Sequence, residues 1–352
     1  DQVHWVQGFD PDGPDEEAAE GEMVLPVFPL QHAVHIPGTV HTLNIFEPRY
    51  CEMYSNIILN GSRRFVVTLV QPQPQNPDKP DTLGNKLKSL KSSPKSIAEV
   101  GVVFYVEEFN KVDEETEGVI KYVCKHRVIG RVKIHKILNP RYLQDRNTYL
   151  RAVVEDFKDD DEGADCMDEE VKLSNTFRKV VELHDKLGST ETVRFSAQMT
   201  MGGNLGIRGE QGTFWQTASL WQVLVQERLG AFQTARVVAE QQMVQDFLQE
   251  QGLDLEELLQ QSDSGRVGIR LTDLPGNLQD RYLKLQDEFA EESKPFVALL
   301  IWFFQSLLQE PTHGRRLEML DNVMTKEVLR LQAKASMQEV LGIVGNNEDD
   351  DE

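Results

Sequence analysis

Residues 25–50 read LPVFPLQHAVHIPGTVHTLNIFEPRY, and this stretch combines the signals of strand, turn and helix. Side chains of a strand point alternately to its two faces, so residues 40–45 predict one largely apolar face. That face is made of His41, Leu43 and Ile45. The Pro37-Gly38 pair fits a type II turn, in which glycine takes the position of positive φ, and Pro48 suits the first position of a helix. The stretch therefore predicts two strands joined through a tight turn and followed by a helix.

The same stretch opens a segment, residues 23–157, in which strand signals dominate. Short runs rich in Val, Ile, Phe and Tyr recur between turn residues, as in RRFVVTLV, EVGVVFYVEEF and HRVIGRVKI. About six strands with few helices between them favour a closed or nearly closed sheet, which leaves no edge exposed. Residues 71–97 are rich in Lys, Pro and Ser and predict a long loop, either simply solvated or used to dock an acidic partner.

The remainder of the chain carries helical signals. Residues 158–170 are strongly acidic and predict a linker, after which the apolar period changes from 2 to 3.6. We therefore predict an α-helical bundle over residues 171–345. Composition predicts a disordered acidic lead-in at residues 1–22, and an acidic tail fills residues 346–352. The predicted fold class is α+β, a β domain followed by a helical bundle.

Charge and cysteine content restrict the classes of partner. The formal net charge is −21, which disfavours nucleic-acid binding because that depends on neutralising phosphates with Lys and Arg. Residues 296–308 form the most apolar segment, which is shorter than the roughly 20 residues that span a bilayer and predicts a buried helix. The three cysteines, Cys51, Cys124 and Cys166, are widely spaced and fit reduced thiols better than a disulfide framework or a zinc site.

The common catalytic and cofactor signatures are missing from the sequence. It contains no GxxxxGK[ST], HExxH, GxSxG or CxxCH. The glycine-rich run MGGNLGIRGEQG at residues 201–212 lies between helical segments, so it lacks the strand-to-helix context of a dinucleotide site. We therefore predict no catalytic residue, no cofactor and no enzymatic activity.

Three histidines crowd the opening stretch, and two interpretations of them remain open. His32 and His35 precede the Pro37-Gly38 turn and His41 follows it, so the three imidazoles could meet and bind a metal ion. However, no carboxylate lies among them, and their spacing matches no standard zinc motif. Histidines of a turn and a strand end are the default interpretation, and the three residues are weak metal candidates.

The opening stretch resembles the N-terminal domain of the ATP-dependent Lon proteases, whose signature runs roughly L-P-L-F-P-L, a P-G turn and I-F-E-x-R-Y. The matching residues are Leu25, Pro26, Phe28, Pro29, Leu30, Pro37, Gly38, Leu43, Phe46, Glu47, Arg49 and Tyr50. The strand-like runs quoted above and the helical run GRRLEMLDNVMTKEVLRLQAKASMQEVLG are similar to later parts of that domain. The resemblance spans most of residues 23–342.

The resemblance implies a PUA-like pseudo-β-barrel followed by a helical bundle, in agreement with the change of apolar period. It also implies that Glu47 and Arg49 orient the start of the helix and that Phe46 and Tyr50 pack between the barrel and the helix. The chain departs from the full proteases because it carries neither an ATPase nor a peptidase motif. Without those two modules, the chain looks like the stand-alone Lon-domain proteins of bacteria and plastids.

The resemblance implies a function in protein recognition, because this domain helps to capture substrates in the full protease. The leading hypothesis is a non-catalytic adaptor or substrate receptor that binds unfolded or tagged clients for a separate protease or quality-control system. Such a module should carry an exposed apolar surface or a groove between barrel and bundle. The alternatives are a structural or assembly subunit of a larger complex and, third, a small-molecule-binding protein or hydrolase. The stand-alone type and a start without methionine favour the plastid stroma, with the cytoplasm as the alternative.

Overall fold

The fold is α+β, as the sequence predicts. A computed structural model describes residues 3–71, 96–188, 191, 193–195, 211–250 and 275–340. Its strands are β1 (Met23–Leu30), β2 (Val40–Ile45), β3 (Arg64–Gln71), β4 (Ser96–Ile97), β5 (Val100–Lys111), β6 (Tyr122–Ile137) and β7 (Leu150–Asp156). Its helices are α1 (Pro48–Leu59), α2 (Tyr142–Asp145), α3 (Met167–Leu187), α4 (Gln211–Glu250), α5 (Gly276–Ala298), a π-helical turn (Leu299–Phe303), α6 (Phe304–Gln309) and α7 (His313–Val340).

Five strands close into a barrel-like ring. β1 pairs antiparallel with β7, β7 with β6, β6 with β5 and β5 with β3, and a parallel pairing of β3 with β1 completes the ring. β2 and β4 lie outside the ring, β2 on β6 and β4 on β3. The predicted closed sheet is therefore confirmed. Closure gives each of the five ring strands a neighbour on both sides, which leaves fewer unpaired strand edges than an open sheet has.

The chain divides into two compact units, one of residues 1–221 and 301–352 and the other of residues 222–300. The first unit contains the barrel together with α3, α6 and α7, and α3 packs along α7. In the second unit, the later part of α4 packs against α5 through an apolar cluster. The members of that cluster are Met243, Phe247, Leu278 and Tyr282.

The N-terminal segment lies against the barrel, so the predicted disorder of residues 1–22 is wrong for residues 4–16. Trp5 forms an isolated β-bridge with Ala98, and the Val6 N–H donates to the Ile97 carbonyl at 2.9 Å. Farther along, the Glu16 N–H donates to the Leu138 carbonyl at 2.7 Å. Composition misleads here because a few apolar side chains, among them Val6 and Phe9, join the barrel core within an otherwise acidic segment.

The acidic run at residues 158–170, predicted to be a linker, is anchored by contacts of its side chains. The Asp159 side chain is buried, and Asp161 accepts the N–H groups of His313 at 2.7 Å and Gly314 at 3.0 Å. The pKa of Asp161 is lowered, since these backbone hydrogen bonds outweigh the opposing effect of desolvation. Carboxylates at a helix N-terminus satisfy N–H groups that have no partner within the helix. This run therefore fixes the start of α7.

Other predictions meet the structure only in part. Within residues 296–308 the predicted buried helix holds for α6, whereas Val297 and Trp302 are exposed. In the described part of the chain, no helix is both long and apolar enough to cross a membrane. Residues 72–95 of the predicted Lys-rich loop, the glycine-rich run at 201–210 and the acidic tail lie outside the described residues.

Barrel closure depends on a close approach of β5 to β3 at Gly101. A Cβ atom added at Gly101 would lie 2.8 Å from Val66 Cγ1 and 2.9 Å from the Val67 carbonyl oxygen. One of these contacts is with backbone, which cannot move aside without disturbing the strand pairing. We therefore expect Gly101→Ala to lower the free energy of unfolding by about 1–3 kcal/mol, the usual cost of overpacking.

Chemical denaturation measures this effect, with Gly130→Ala as the matched control. An added Cβ at Gly130 would meet no atom within 4 Å, so this variant should unfold like the wild type. If the two alanine variants had equal free energies of unfolding, the close approach of β5 to β3 at Gly101 would not limit the size of the side chain there.

Candidate functional site

One edge of β6 is interrupted. β5 pairs with β6 from Tyr122 to Lys133 and so occupies one edge of that strand. β2, which pairs with residues 122–127, and β7, which pairs with residues 132–137, must therefore share the other edge. Between them, Ile129 and Gly130 have no strand neighbour on that edge within the described residues. A bulge in the pairing with β5 falls at the same place, between Val103 and Phe104. Bulges often re-aim side chains next to functional sites.

A pocket of about 380 Å³ occupies this interruption, and we call it the gap pocket. One wall is the turn that precedes β2, and the opposite wall is the segment that follows β7. Ile129 to Arg131 of β6 lie between the two walls, and Trp215 of α4 completes the lining. The lining residues are Pro37, Gly38, Ile129, Gly130, Arg131, Phe157, Lys158, Asp159, Glu162 and Trp215. The pocket thus joins the barrel to the helical part of the first unit.

Backbone hydrogen bonds fix both walls to β6. The Gly38 N–H donates to the Val128 carbonyl at 2.9 Å, and the Val128 N–H donates to the Thr39 carbonyl at 2.9 Å. On the other side, the Phe157 N–H donates to the Arg131 carbonyl at 3.0 Å. Gly38 has a φ of +83°, in the left-handed region that glycine adopts without strain. The Pro37-Gly38 pair therefore shapes one wall of the pocket.

A buried network of charges stands behind the pocket. The side chains of Arg131, Asp159 and Arg316 are 6%, 3% and 1% exposed. Arg316 donates to both carboxylate oxygens of Asp159, at 2.7 Å and 2.5 Å, and Arg131 donates to one of them. Both arginines also donate to the Glu310 carbonyl, at 3.1 Å from Arg131 and 2.9 Å from Arg316. One carboxylate thus connects β6, the segment after β7 and α7.

Two buried guanidinium groups share the Asp159 carboxylate. The charge of Glu310 also acts on Arg131, and that of Asp161 acts on Arg316. These carboxylates offset part of the positive charge of the pair. Aromatic faces help to balance it, because the negative face of a ring attracts a cation. The Arg131 guanidinium lies 4.8 Å from the centre of the Phe157 ring and 5.6 Å from that of Trp215, and Arg316 lies 5.5 Å from that of Trp215. Burial and the charge of Arg316 lower the pKa of Arg131 to about 10, so it remains charged at neutral pH.

The structure brings together two of the three histidines that were weak metal candidates. His35 Nδ1 lies 3.2 Å from His41 Nε2, whereas His32 is exposed and no described contact joins it to them. The third ring of the cluster is His126 of β6, which sequence spacing did not predict. It pairs with His41 across the strands and lies 2.7 Å from the Tyr54 hydroxyl. In the described part of the chain, no group of three or more His, Cys, Asp or Glu side chains could hold a metal ion.

The last part of the Lon-like motif, residues 46–50, follows β2 and builds the start of α1. Glu47 precedes the helix and forms an ion pair with Arg49 at 2.9 Å. The Tyr50 ring stacks on Phe28 of β1 with ring centres 4.0 Å apart. Phe46 is instead 61% exposed, so the expectation that it packs between barrel and helix is wrong. Pro26 and Pro29 of the motif lie in β1 on either side of Phe28.

Sequence reasoning missed the charged residues behind the gap pocket. Asp159 lies within an acidic run whose composition indicates solvated carboxylates, and Arg131 lies in a strand among exposed basic residues. Arg316 belongs to the GRRLEML run used for the family resemblance, but no motif marks its side chain as buried. The partners are separated by 28 and 157 residues, so no local pattern connects them.

We expect Asp159→Asn to lower the free energy of unfolding by about 3–5 kcal/mol, the cost of breaking a buried ion pair. The substitution preserves the shape of the side chain and removes the carboxylate that both buried arginines contact. Denaturant unfolding of the full chain measures it.

Asp160→Asn is the matched control, because Asp160 is exposed and its backbone N–H, which donates to the Pro311 carbonyl, is unaffected. A loss of less than about 1 kcal/mol for Asp159→Asn would show that the network is not a central support of the fold.

Comparison with known proteins identifies the family. The family model of the ATP-dependent protease La (LON) substrate-binding domain matches residues 24–252. No ATPase or protease domain is detected in the chain. The matched range includes the barrel except Met23, the first residue of β1, and every residue that lines the gap pocket.

Two solved structures resemble part of this chain. The Lon N-terminal domain protein from Xanthomonas campestris is 19% identical, with a TM-score of 0.27, over 51% of this chain and 88% of that chain. The N-terminal domain of the Mycobacterium avium complex Lon protease is 10% identical, with a TM-score of 0.30, over 48% of this chain and 72% of that chain. No curated protein sequence matches. Since the family model covers well over half of its length, this chain belongs to the family of the LON substrate-binding domain.

Proposed function

We propose that this chain is a non-catalytic module that recognises protein substrates and holds an extended segment of them in the gap pocket. The observation that carries the proposal is the interrupted edge of β6, at which an accessible apolar side chain and a pocket coincide in a substrate-binding domain. Extended peptides commonly bind along the edges of strands, with pockets receiving alternate side chains. The match to the family supports protein recognition in general, and the location in the gap pocket is our inference.

The chemistry of the pocket suits an apolar side chain of a polypeptide. Ile129 is 47% exposed at the interruption, and the neighbouring Val40 of β2 is 44% exposed. Phe157 and Trp215 supply aromatic lining on the far side. Exposed apolar surface next to a concave lining is typical of binding sites. A volume of about 380 Å³ lies at the lower end of the usual range for ligand pockets, roughly 300–1,000 Å³, so a short segment is the fitting occupant.

We infer further that the chain serves as an adaptor or substrate receptor for a separate protease or quality-control system. The support is that the chain matches a domain named for substrate binding, while no ATPase or protease domain is detected in it. A degradation assay tests the adaptor role: the purified chain should accelerate breakdown of an unfolded protein by an ATP-dependent protease from the same cells. Location in the plastid stroma stays a prediction, which a fluorescent fusion of the full-length protein would test.

Binding of an unfolded protein should depend on Ile129. We expect Ile129→Glu to weaken binding of fluorescently labelled casein by at least about 10-fold, which corresponds to about 1.4 kcal/mol. The physical reason is that the carboxylate would have to be desolvated when an apolar side chain enters the pocket. Fluorescence anisotropy measures the dissociation constant.

Val119→Glu is the matched control, because Val119 is 72% exposed and does not line the pocket. It introduces the same charge, so it also controls for repulsion from the acidic chain. Equal weakening by both variants would place binding elsewhere, and no binding of casein by the wild type would contradict the recognition function itself.

A further inference from the structure

The histidine cluster of His35, His41 and His126 lies directly behind the turn that forms one wall of the gap pocket. His35 precedes Pro37 in that turn, and His41 follows it on β2. The three rings surround Phe104 of β5, with ring centres 5.2 Å, 5.7 Å and 5.6 Å from it. The turn is therefore attached to the barrel through imidazole rings as well as through backbone hydrogen bonds.

The hydrogen bonds of the cluster are all satisfied when its rings are neutral. His126 is fully buried, and its Nδ1 lies 3.2 Å from the His41 carbonyl oxygen, which can only accept. Nδ1 therefore carries the proton, and Nε2 accepts from the Tyr54 hydroxyl at 2.7 Å. His41 Nε2 lies 3.2 Å from His35 Nδ1 and 2.8 Å from Thr39 Oγ1. If both His35 and His41 were protonated, two like charges would face each other at hydrogen-bond distance.

Among the described residues, no carboxylate lies close enough to contribute to the pKa of a ring in the cluster. The described elements packed on the cluster contribute Phe65 from β3, Phe104 from β5 and Tyr54 from α1. The other titratable group is the thiol of Cys124 on β6, which interacts with Tyr54 and whose own pKa burial raises to about 12. Burial also raises the pKa of the Tyr54 hydroxyl. Both groups therefore stay neutral.

We propose that the histidine cluster is an acid-sensitive latch, which holds the turn at residues 35–39 closed at neutral pH and releases it in mild acid. Release would free His35 from His41 and Phe104 and would break the hydrogen bonds of Gly38 and Val128. It would thereby loosen the wall made by Pro37 and Gly38. The latch does not depend on what the gap pocket binds.

The sign of the pH dependence follows from the closed-state pKa values. Burial, followed by the charges of His41 and His126, lowers the pKa of His35 to about 3, while burial lowers that of His126 to about 4. A solvated histidine titrates near 6.5, so the released turn takes up more protons than the closed turn between these values. The closed turn is thus fully stable above pH 6.5 and loses stability as pH falls. For His35 alone, moving from pH 7 to pH 5 should favour release about 25-fold.

Hydrogen exchange of the full chain, followed by mass spectrometry and corrected for intrinsic exchange, tests the latch. We expect the opening equilibrium of residues 31–45 to rise about 25-fold between pH 7 and pH 5. Peptides from β3 and β5 should change far less. The latch would be overturned if residues 31–45 showed no such rise, or if the whole barrel opened together with them.

Two variants separate the latch from general acid sensitivity. His35→Gln keeps hydrogen-bonding capacity but cannot titrate. In this variant, the opening equilibrium of residues 31–45 should therefore differ by no more than about 3-fold between pH 7 and pH 5. His32→Gln removes an exposed histidine of the same segment and should keep the wild-type ratio. If His35→Gln does not fold, His41→Gln replaces it in the same comparison. A pH response in the substituted latch as large as that of the wild type would overturn the proposal.

Discussion

Two buried arginines that share one carboxylate connect the barrel to the helices that follow it. Arg131 belongs to β6, Asp159 to the segment after β7 and Arg316 to α7, and the carbonyls of Leu308 and Glu310 accept further hydrogen bonds from them. Removing such charges from water is costly, and the cost is offset only when every partner is in place. The relative position of these three elements is therefore tightly constrained. The aromatic lining of the gap pocket is constrained as well, because Phe157 and Trp215 pack on the same guanidinium groups.

The gap pocket forms at the interruption in the edge of β6, next to the buried network of Arg131, Asp159 and Arg316. β2 and β7 meet β6 on one edge without meeting each other, and the network fixes the segment after β7 as one wall. The other wall is the Pro37-Gly38 turn, whose support is the uncharged histidine cluster. One wall is thus held by a buried ion-pair network, and the other by histidine rings whose pKa values burial lowers.

Much of the fold could be predicted from the sequence, because its signals are local. Strand-like runs predicted the closed sheet, and the alternation of residues 40–45 predicted the buried Ile45 and the half-buried His41. Predictions failed where a partner lies far along the chain. Trp5 pairs with Ala98, and Asp159 contacts Arg316, whereas composition alone indicated a disordered lead-in and a linker. The gap pocket could not be predicted either, since it arises from where two strands end on a third.

The central claim is that protein substrates bind at the interruption of β6. Site-specific photocrosslinking tests it most directly, with a benzophenone amino acid at position 129 or, for comparison, at position 119. Both positions are exposed, so both probes are accessible to a bound chain. With unfolded casein present, our account predicts strong crosslinking from position 129 and little from position 119. Equal crosslinking from both positions, or none from position 129 under conditions where casein binds, would contradict it.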